Sequence, residues 1–324
     1  MYYTSFAPLS LAFRFPTLYY CCMGHIIPLA SGKGGVGKSM LTANLGLALA
    51  SQGLKVLLVD LDLGSSNLHS FLKVSNTNVG IGGYYFKNAD ALEELKIDTE
   101  WPGLQIITGD TLFPGTANIP WFFKKKVIRE LEGLDEDIIL VDLGAGTAFN
   151  TVDFFLSGRE GILVTTPEPT SIINGYSFLK NLFFRVLHRL FPPKSRERDV
   201  IKEWSMQRNE HKGGFLGLLE ELNSAQAESG IRASQVIQAL RPVILLNDYH
   251  TEQENNASNS LISVTRENLG LNLSLLGTVP HDESIRMTVF QRDPAYYSMP
   301  DSPFSHAMEQ IAADLLEFLR NNGN

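Results

Sequence analysis

The stretch Ser31-Gly32-Lys33-Gly34-Gly35-Val36-Gly37-Lys38-Ser39-Met40 decides the reading of this 324-residue chain. Before it, His25-Ile26-Ile27-Pro28-Leu29-Ala30 has the length and apolarity of a short buried strand. After it, residues 41–50 read as a helix. Strand, glycine loop and helix form the context in which such a motif binds phosphate. Glycines let the backbone curl so that successive N–H groups face inward. The helix N-terminus adds roughly half a positive charge at the same place. Gly34, Gly35, Val36, Gly37, Lys38, Ser39 and Met40 are therefore expected to line a nucleotide site. Lys38 is expected to reach the β- and γ-phosphates, and Ser39 to ligate Mg²⁺.

Other strands carry acids to the same end of the predicted sheet. Lys55-Val56-Leu57-Leu58-Val59-Asp60-Leu61-Asp62 and Asp137-Ile138-Ile139-Leu140-Val141-Asp142 are continuous apolar runs tipped by carboxylates. Such runs suit a parallel sheet covered on both faces. Ligands in these sheets sit at the carboxyl ends of the strands, so Asp60, Asp62 and Asp142 fall where phosphates would lie. The second run matches a Walker B strand, with Asp142 expected to hold the Mg²⁺ shell. Residues 161–166 form another strand, leading into Pro167-Glu168-Pro169-Thr170-Ser171, where Thr170 or Ser171 is expected to cap a helix. Two more strands follow, Pro242-Val243-Ile244-Leu245-Leu246-Asn247 and a run over residues 275–282. The expected fold is α/β: a doubly wound, mostly parallel sheet with helices on both faces.

Lys33 makes the loop more specific. Lys-Gly-Gly-x-Gly-Lys-Ser resembles the deviant Walker A loop of the MinD/ParA class of ATPases. In that family the first lysine reaches across a dimer interface to the partner's nucleotide. The resemblance implies an ATP-dependent sandwich homodimer, with Lys33 and Lys38 neutralising phosphates. It makes Asp62 the residue that positions the attacking water, has Asp60 support Mg²⁺, and puts Asn67 by the γ-phosphate. Asn247 matches the position that recognises the adenine edge. Leu275-Leu276-Gly277-Thr278-Val279-Pro280-His281-Asp282 resembles the base-side loop, implying Pro280 and Asp282 near adenine and ribose. The absence of an Asn-Lys-x-Asp motif favours ATP over GTP. The likeness covers roughly residues 24–185 and 240–320, and its nearest flavour is the FlhG-like branch, which governs flagellar number and placement. One departure lies in Asp142-Leu143-Gly144-Ala145-Gly146, which lacks the proline of the family's Asp-x-Pro-x-Gly.

Bulk properties narrow the partners. Apolar residues make up 44% of the chain, charged residues 19%, and the net charge is −8. That balance disfavours broad nucleic-acid binding, though DNA partitioning remains an alternative, as does a metabolite-directed ligase or kinase on the same loop. Cys21 and Cys22 are the two cysteines; none follows the loop, so the iron–sulfur branches of the superfamily are excluded. Residues 1–22 are expected to be a non-core extension, with translation starting at Met23, ahead of one ATPase domain over 23–324.

Residues 186–240 read as a helical insertion, either a solvated elaboration or a partner-binding subdomain. It opens on a charged break at residues 192–199, and residues 215–240 are expected as one or two helices interrupted at Gly230. Phe178, Leu179, Leu182, Phe183, Val186, Leu187, Leu190 and Phe191 recur at helical spacing beside Lys180, Arg185 and Arg189, a stripe that covers a sheet or meets a membrane or partner. Met308, Ile311, Leu315 and Leu319 mark a last amphipathic helix. Its net negative charge argues against direct attachment to anionic lipid. The expected location is cytoplasmic, peripheral to a membrane or cell pole through an activating or cargo protein.

Overall fold

The computed structural model describes residues 24–62, 65–75, 80–86, 89–109, 120–206 and 213–322. The expectations for residues 1–22 and the cysteines fall outside these, as do Leu63, Gly64 and residues 207–212. The strands are β1 (His25–Ala30), β2 (Val56–Leu61), β3 (Ile97–Asp98), β4 (Leu104–Ile107), β5 (Ile138–Leu143), β6 (Ile162–Thr165), β7 (Val243–Tyr249) and β8 (Ser274–Pro280). Among the described residues they form one sheet in the order β3-β4-β2-β5-β1-β6-β7-β8. Every pairing is parallel except β3 with β4.

Alternation along the central strands divides the core in two. Leu57, Val59, Ile139, Val141, Leu163 and Ile244 face one layer. Val56, Leu58, Ile138, Leu140, Ile162 and Leu245 face the other. A period-2 chain with apolar residues at both phases must bury both faces, which is why the strands read as unbroken apolar runs. The second layer is built on α1 (Lys38–Ser51) and the last helix. The first is built on the helices that follow β2, β4, β5 and β6: α2 (Ile81–Tyr85), α3 (Trp121–Leu131), α4 (Phe149–Phe155) and α5 (Pro169–Leu190).

The long connection after α5 contains α6 (Arg196–Met206), α7 (Gly214–Ala225) and α8 (Ser229–Gln238). Two expectations are corrected here. The charged stretch at residues 192–199 is only a short break, because Arg196 already starts a helix. The later interruption falls at residues 226–228 rather than Gly230, which lies inside α8. Glu228 takes a left-handed φ of 67° there, and a Cβ on Gly230 would stand 2.3 Å from the Leu219 carbonyl oxygen, so glycine serves close packing. Ile201, Trp204, Phe215, Leu218, Leu222, Ala233 and Ile237 are buried in the same core as the apolar stripe of α5. The stripe therefore covers the sheet and holds these helices.

The remaining helices are α9 (Glu252–Asn255), α10 (Ala257–Leu269), α11 (Arg286–Gln291), α12 (Ala295–Ser298) and α13 (Pro303–Asn322). In α13, Met308, Ile311, Leu315 and Leu319 are buried as expected of a packing helix. Among the described residues no helix is long and apolar enough to cross a membrane. β7 runs two residues past its expected end at Asn247. The N-cap of α5 is Glu168, with Pro169 in the first turn. Thr170 and Ser171 lie inside the helix because proline is pre-set for its first position. The Ser171 hydroxyl nevertheless accepts from Thr166 N at 3.0 Å.

Candidate functional site

The loop over residues 31–37 leaves the carboxyl end of β1, between β5 and β6, where ligands of such sheets collect. Gly37 has φ 85°, a left-handed turn that glycine adopts without strain. A Cβ there would stand 2.5 Å from Asn247 Nδ2. The Gly37 carbonyl accepts from Leu41 N at 2.9 Å, starting α1 directly from the loop. Lys38, Ser39 and Met40 form its first turn.

The two lysines part company. Lys38 is buried, and its Nζ donates to Asp142 Oδ1 at 2.5 Å. Lys33 is exposed and turns to Glu168, with Nζ 2.8 Å from Oε2. The Lys33 hydrogen bond holds the Glu168 carboxyl below its usual range.

Asp60 and Asp142 are paired in register on adjacent strands. Both are buried. Asp60 Oδ2 accepts from Ser66 Oγ at 2.7 Å and Leu68 N at 3.2 Å, and Oδ1 accepts from Asp62 N at 3.0 Å. Even so, burial and the neighbouring Asp142 charge push its pKa up to about 7. Asp142 Oδ1 also accepts from Thr42 Oγ1 at 3.2 Å. Among the described residues Asp142 Oδ2 is buried with no hydrogen-bond partner. Two buried carboxylates, one with an orphaned oxygen and only Lys38 set against their charge, offer oxygen donors that suit a hard divalent cation. The residues fit Mg²⁺.

Asp62, half-buried, lies across from the turn after β5: a Cβ on Gly144 would stand 3.2 Å from its Oδ1. Gly146 N in that turn donates to Ser31 O at 2.8 Å, joining the turn to the start of the loop. Asn247 Nδ2 donates to Val36 O at 2.9 Å, bringing β7 against the loop from the other side. Three expected residues make other contacts. Asn67 is exposed and donates to Ser65 O at 2.7 Å. Pro280 ends β8. The Asp282 carboxylate is engaged by Ser284 N, Ser284 Oγ and Phe304 N.

Thr42 and Ser66 were not singled out from sequence. Thr42 had a signal, since it lies four residues after Lys38 and so on the same helix face. Ser66 had none, because its contact with Asp60 depends on how the following loop folds back.

Comparison with known proteins places this geometry. A family model described as the CobQ/CobB/MinD/ParA nucleotide binding domain matches residues 27–294. The flagellum site-determining protein YlxH of Helicobacter pylori is 28% identical over 257 residues, spanning 73% of this chain and 81% of YlxH. The antiactivator FleN of Pseudomonas aeruginosa is 26% identical over 295 residues, spanning 89% of this chain and 84% of FleN. The septum site-determining protein MinD of Pyrococcus horikoshii, solved with Mg-ADP, shares the fold. Its TM-score is 0.64 at 24% identity, and the match covers 93% of this chain and 99% of that one.

Proposed function

The chain belongs to the CobQ/CobB/MinD/ParA family of nucleotide-binding domains, and from that premise we propose that it is a Mg²⁺-dependent ATPase that dimerises on ATP and acts as a positional switch. The observation that carries this reading is the divergence of the two loop lysines. Lys38 is committed inward to Asp142, whereas Lys33 is exposed, paired with the exposed Glu168 and, at 3.5 Å, with the Thr170 hydroxyl. A lysine so placed is available to a nucleotide on a second copy of the chain.

In this reading Gly34, Gly35, Val36, Gly37 and Ser39 wrap the phosphates with backbone N–H groups, and Lys38 turns its ammonium to the β- and γ-oxygens. Ser39, Asp60 and Asp142 would hold Mg²⁺, which when bound would offset phosphate charge. Asp62 orients the water that attacks the γ-phosphorus as the bond to the β,γ-bridging oxygen breaks, giving ADP and phosphate. Catalysis is placement and charge neutralisation, with little covalent work for the protein. Asn247 reads the adenine edge, with Pro280 and Asp282 on the same side. Asn67 follows the γ-phosphate through the loop after β2. The core over residues 23–324 acts as one ATPase domain.

The names of the relatives point to the biological setting: YlxH determines flagellum site and FleN is an antiactivator. We assign the chain to flagellar or division-site placement, with a partner protein that senses the ATP-bound dimer. The net charge of −8 argues against DNA as the principal partner.

Solution mass tests the reading. The full chain with Mg²⁺–ATP should run as a dimer, and with ADP as a monomer. Asp62→Ala should trap the ATP dimer by slowing hydrolysis. A monomer in all three states removes the role given to Lys33.

A further inference from the structure

The carboxyl edge of the sheet holds another group of donors, outside the phosphate loop. The β7–β8 register pairs Asn247 with Val279 and Tyr249 with Pro280, so Asp248 is an extra residue pushed out of the ladder. Its backbone is left-handed, with φ 63°, a conformation that strains a non-glycine residue. Bulges of this kind re-aim side chains. Here the bulge sends the Asp248 carboxylate to His281, with Oδ1 2.7 Å from Nδ1. The His250 ring stacks on His281 at a centroid distance of 4.2 Å and an interplanar angle of 25°. The backbone holds both histidines in place. His281 N donates to Tyr249 O at 2.8 Å, and His250 N donates to Glu254 Oε2 at 2.7 Å.

One ligand atom from each of Asp248, His250 and His281 lies within 4.8 Å of the others. Glu283 adds a further carboxylate, with Oε1 3.7 Å from His281 Nε2. We propose that Asp248, His250 and His281 bind a divalent transition-metal ion of the zinc class at the β7–β8 edge. Two imidazoles and a carboxylate are the donors zinc takes, whereas magnesium and calcium prefer oxygen alone. In a tetrahedral shell with zinc bonds of about 2.0–2.2 Å, two donors on one ion stand about 3.3–3.6 Å apart. Small side-chain rotations at these exposed positions close the remaining gap, and water or Glu283 completes the shell. None of its residues is a magnesium donor, but it adjoins the phosphate loop through one strand end. Asp248 directly follows Asn247, whose amide rests on the phosphate loop. A bound ion braces that strand end.

The test is titration of the untagged full chain with ZnCl₂ against a chelating dye, without nucleotide, together with Co²⁺ absorption in the visible. One ion per chain is expected, with a Co²⁺ band reporting nitrogen ligation. His250→Ala and His281→Ala should each weaken binding by about 10-fold or more, and Asp248→Asn should weaken it too. His306→Ala, an exposed histidine on α13, should leave it unchanged, and far-UV circular dichroism should show every variant folded. Equal affinity in the wild-type chain and the His250→Ala/His281→Ala double variant overturns the site. So does equal loss in His306→Ala, which would mark surface histidines binding zinc indiscriminately.

Discussion

Two buried acid clusters on the helix-bearing sheet have opposite charge balances. At the phosphate loop, two acids stand side by side with one paired ammonium, that of Lys38 on Asp142, and Asp142 keeps an oxygen unpartnered among the described residues. Behind α4, the single carboxylate of Asp153 receives Lys124 at 2.5 Å, Arg185 at 2.6 Å, and Arg189. The first cluster is short of positive charge and lacks a donor at one oxygen. The second has three cations on one acid and ties α3, α4 and α5 together. Burial is the same in kind, so the difference lies in what remains to be satisfied. An under-neutralised pair is prepared for a cation from outside, whereas a saturated acid is a structural tie.

The largest effect should come from breaking the saturated cluster. Asp153→Ala leaves the buried Lys124 without its counter-charge, and removing one partner of a buried pair costs about 3–5 kcal/mol. Urea unfolding measures this, and a loss below about 1 kcal/mol would mean the three cations are solvated and the contrast fails. The next effect concerns the open pair. Asp142→Asn keeps an oxygen for Lys38 but removes a charge, so stabilisation by Mg-ADP should vanish. In the wild-type chain that stabilisation should be about 2.7 kcal/mol at ligand one hundredfold above Kd. A variant that still gains this much rules Asp142 out of the cation site.

The two clusters also titrate differently. An acid whose pKa rises on folding stabilises the fold at low pH and loses that contribution as pH climbs through the folded value. For Asp60 the loss runs from about pH 4 to about 7. Burial lowers the pKa of His25, His69 and His188, which pulls stability the other way over part of this range. The diagnostic quantity is therefore the gap between Tm with Mg-ADP and Tm in chelator. That gap should widen from pH 5.5 to 8, as Asp60 gives up its proton more readily, and the widening should shrink in Asp60→Asn. A constant gap contradicts the assignment. At Asp153, burial alone would raise the pKa, but hydrogen bonds from Arg185 and Lys124 outweigh it and hold it below the usual range. Its contribution is present above about pH 4 and lost only as pH falls further.

The smallest stability effect belongs to Lys33 and Glu168, an exposed pair of the kind that contributes little to folding. Lys33→Ala should leave Tm unchanged within error while removing the ATP-dependent dimer. A fall in Tm with dimerisation intact would make Lys33 a structural residue.

Much of this was legible in the chain. Residues 25–30, 56–61 and 138–143 read as strands because apolar residues at both phases of a period-2 pattern have no solvent face. Glycine spacing marked the loop, because only that backbone curls its N–H groups inward. The helical boundaries after α5 were less legible. Arg196, Glu197 and Arg198 look like a solvated turn until Ile201 and Trp204 are seen packed in the core. The closing strands misled as well, since nothing in Asn247-Asp248-Tyr249 signals a bulge.

By itself, then, the sequence determined which strands are buried, where the phosphate loop lies and which residues tip the strands, because periodicity and backbone freedom are local properties. Only the tertiary structure decided how charges meet. It set Asp60 beside Asp142 and left one oxygen unpaired. It gave Asp153 three cations, sent Lys33 outward to Glu168, and gathered Asp248, His250 and His281 at one edge. Those contacts join residues up to 135 positions apart, and their energies depend on burial and distance, quantities that exist only once the chain has folded.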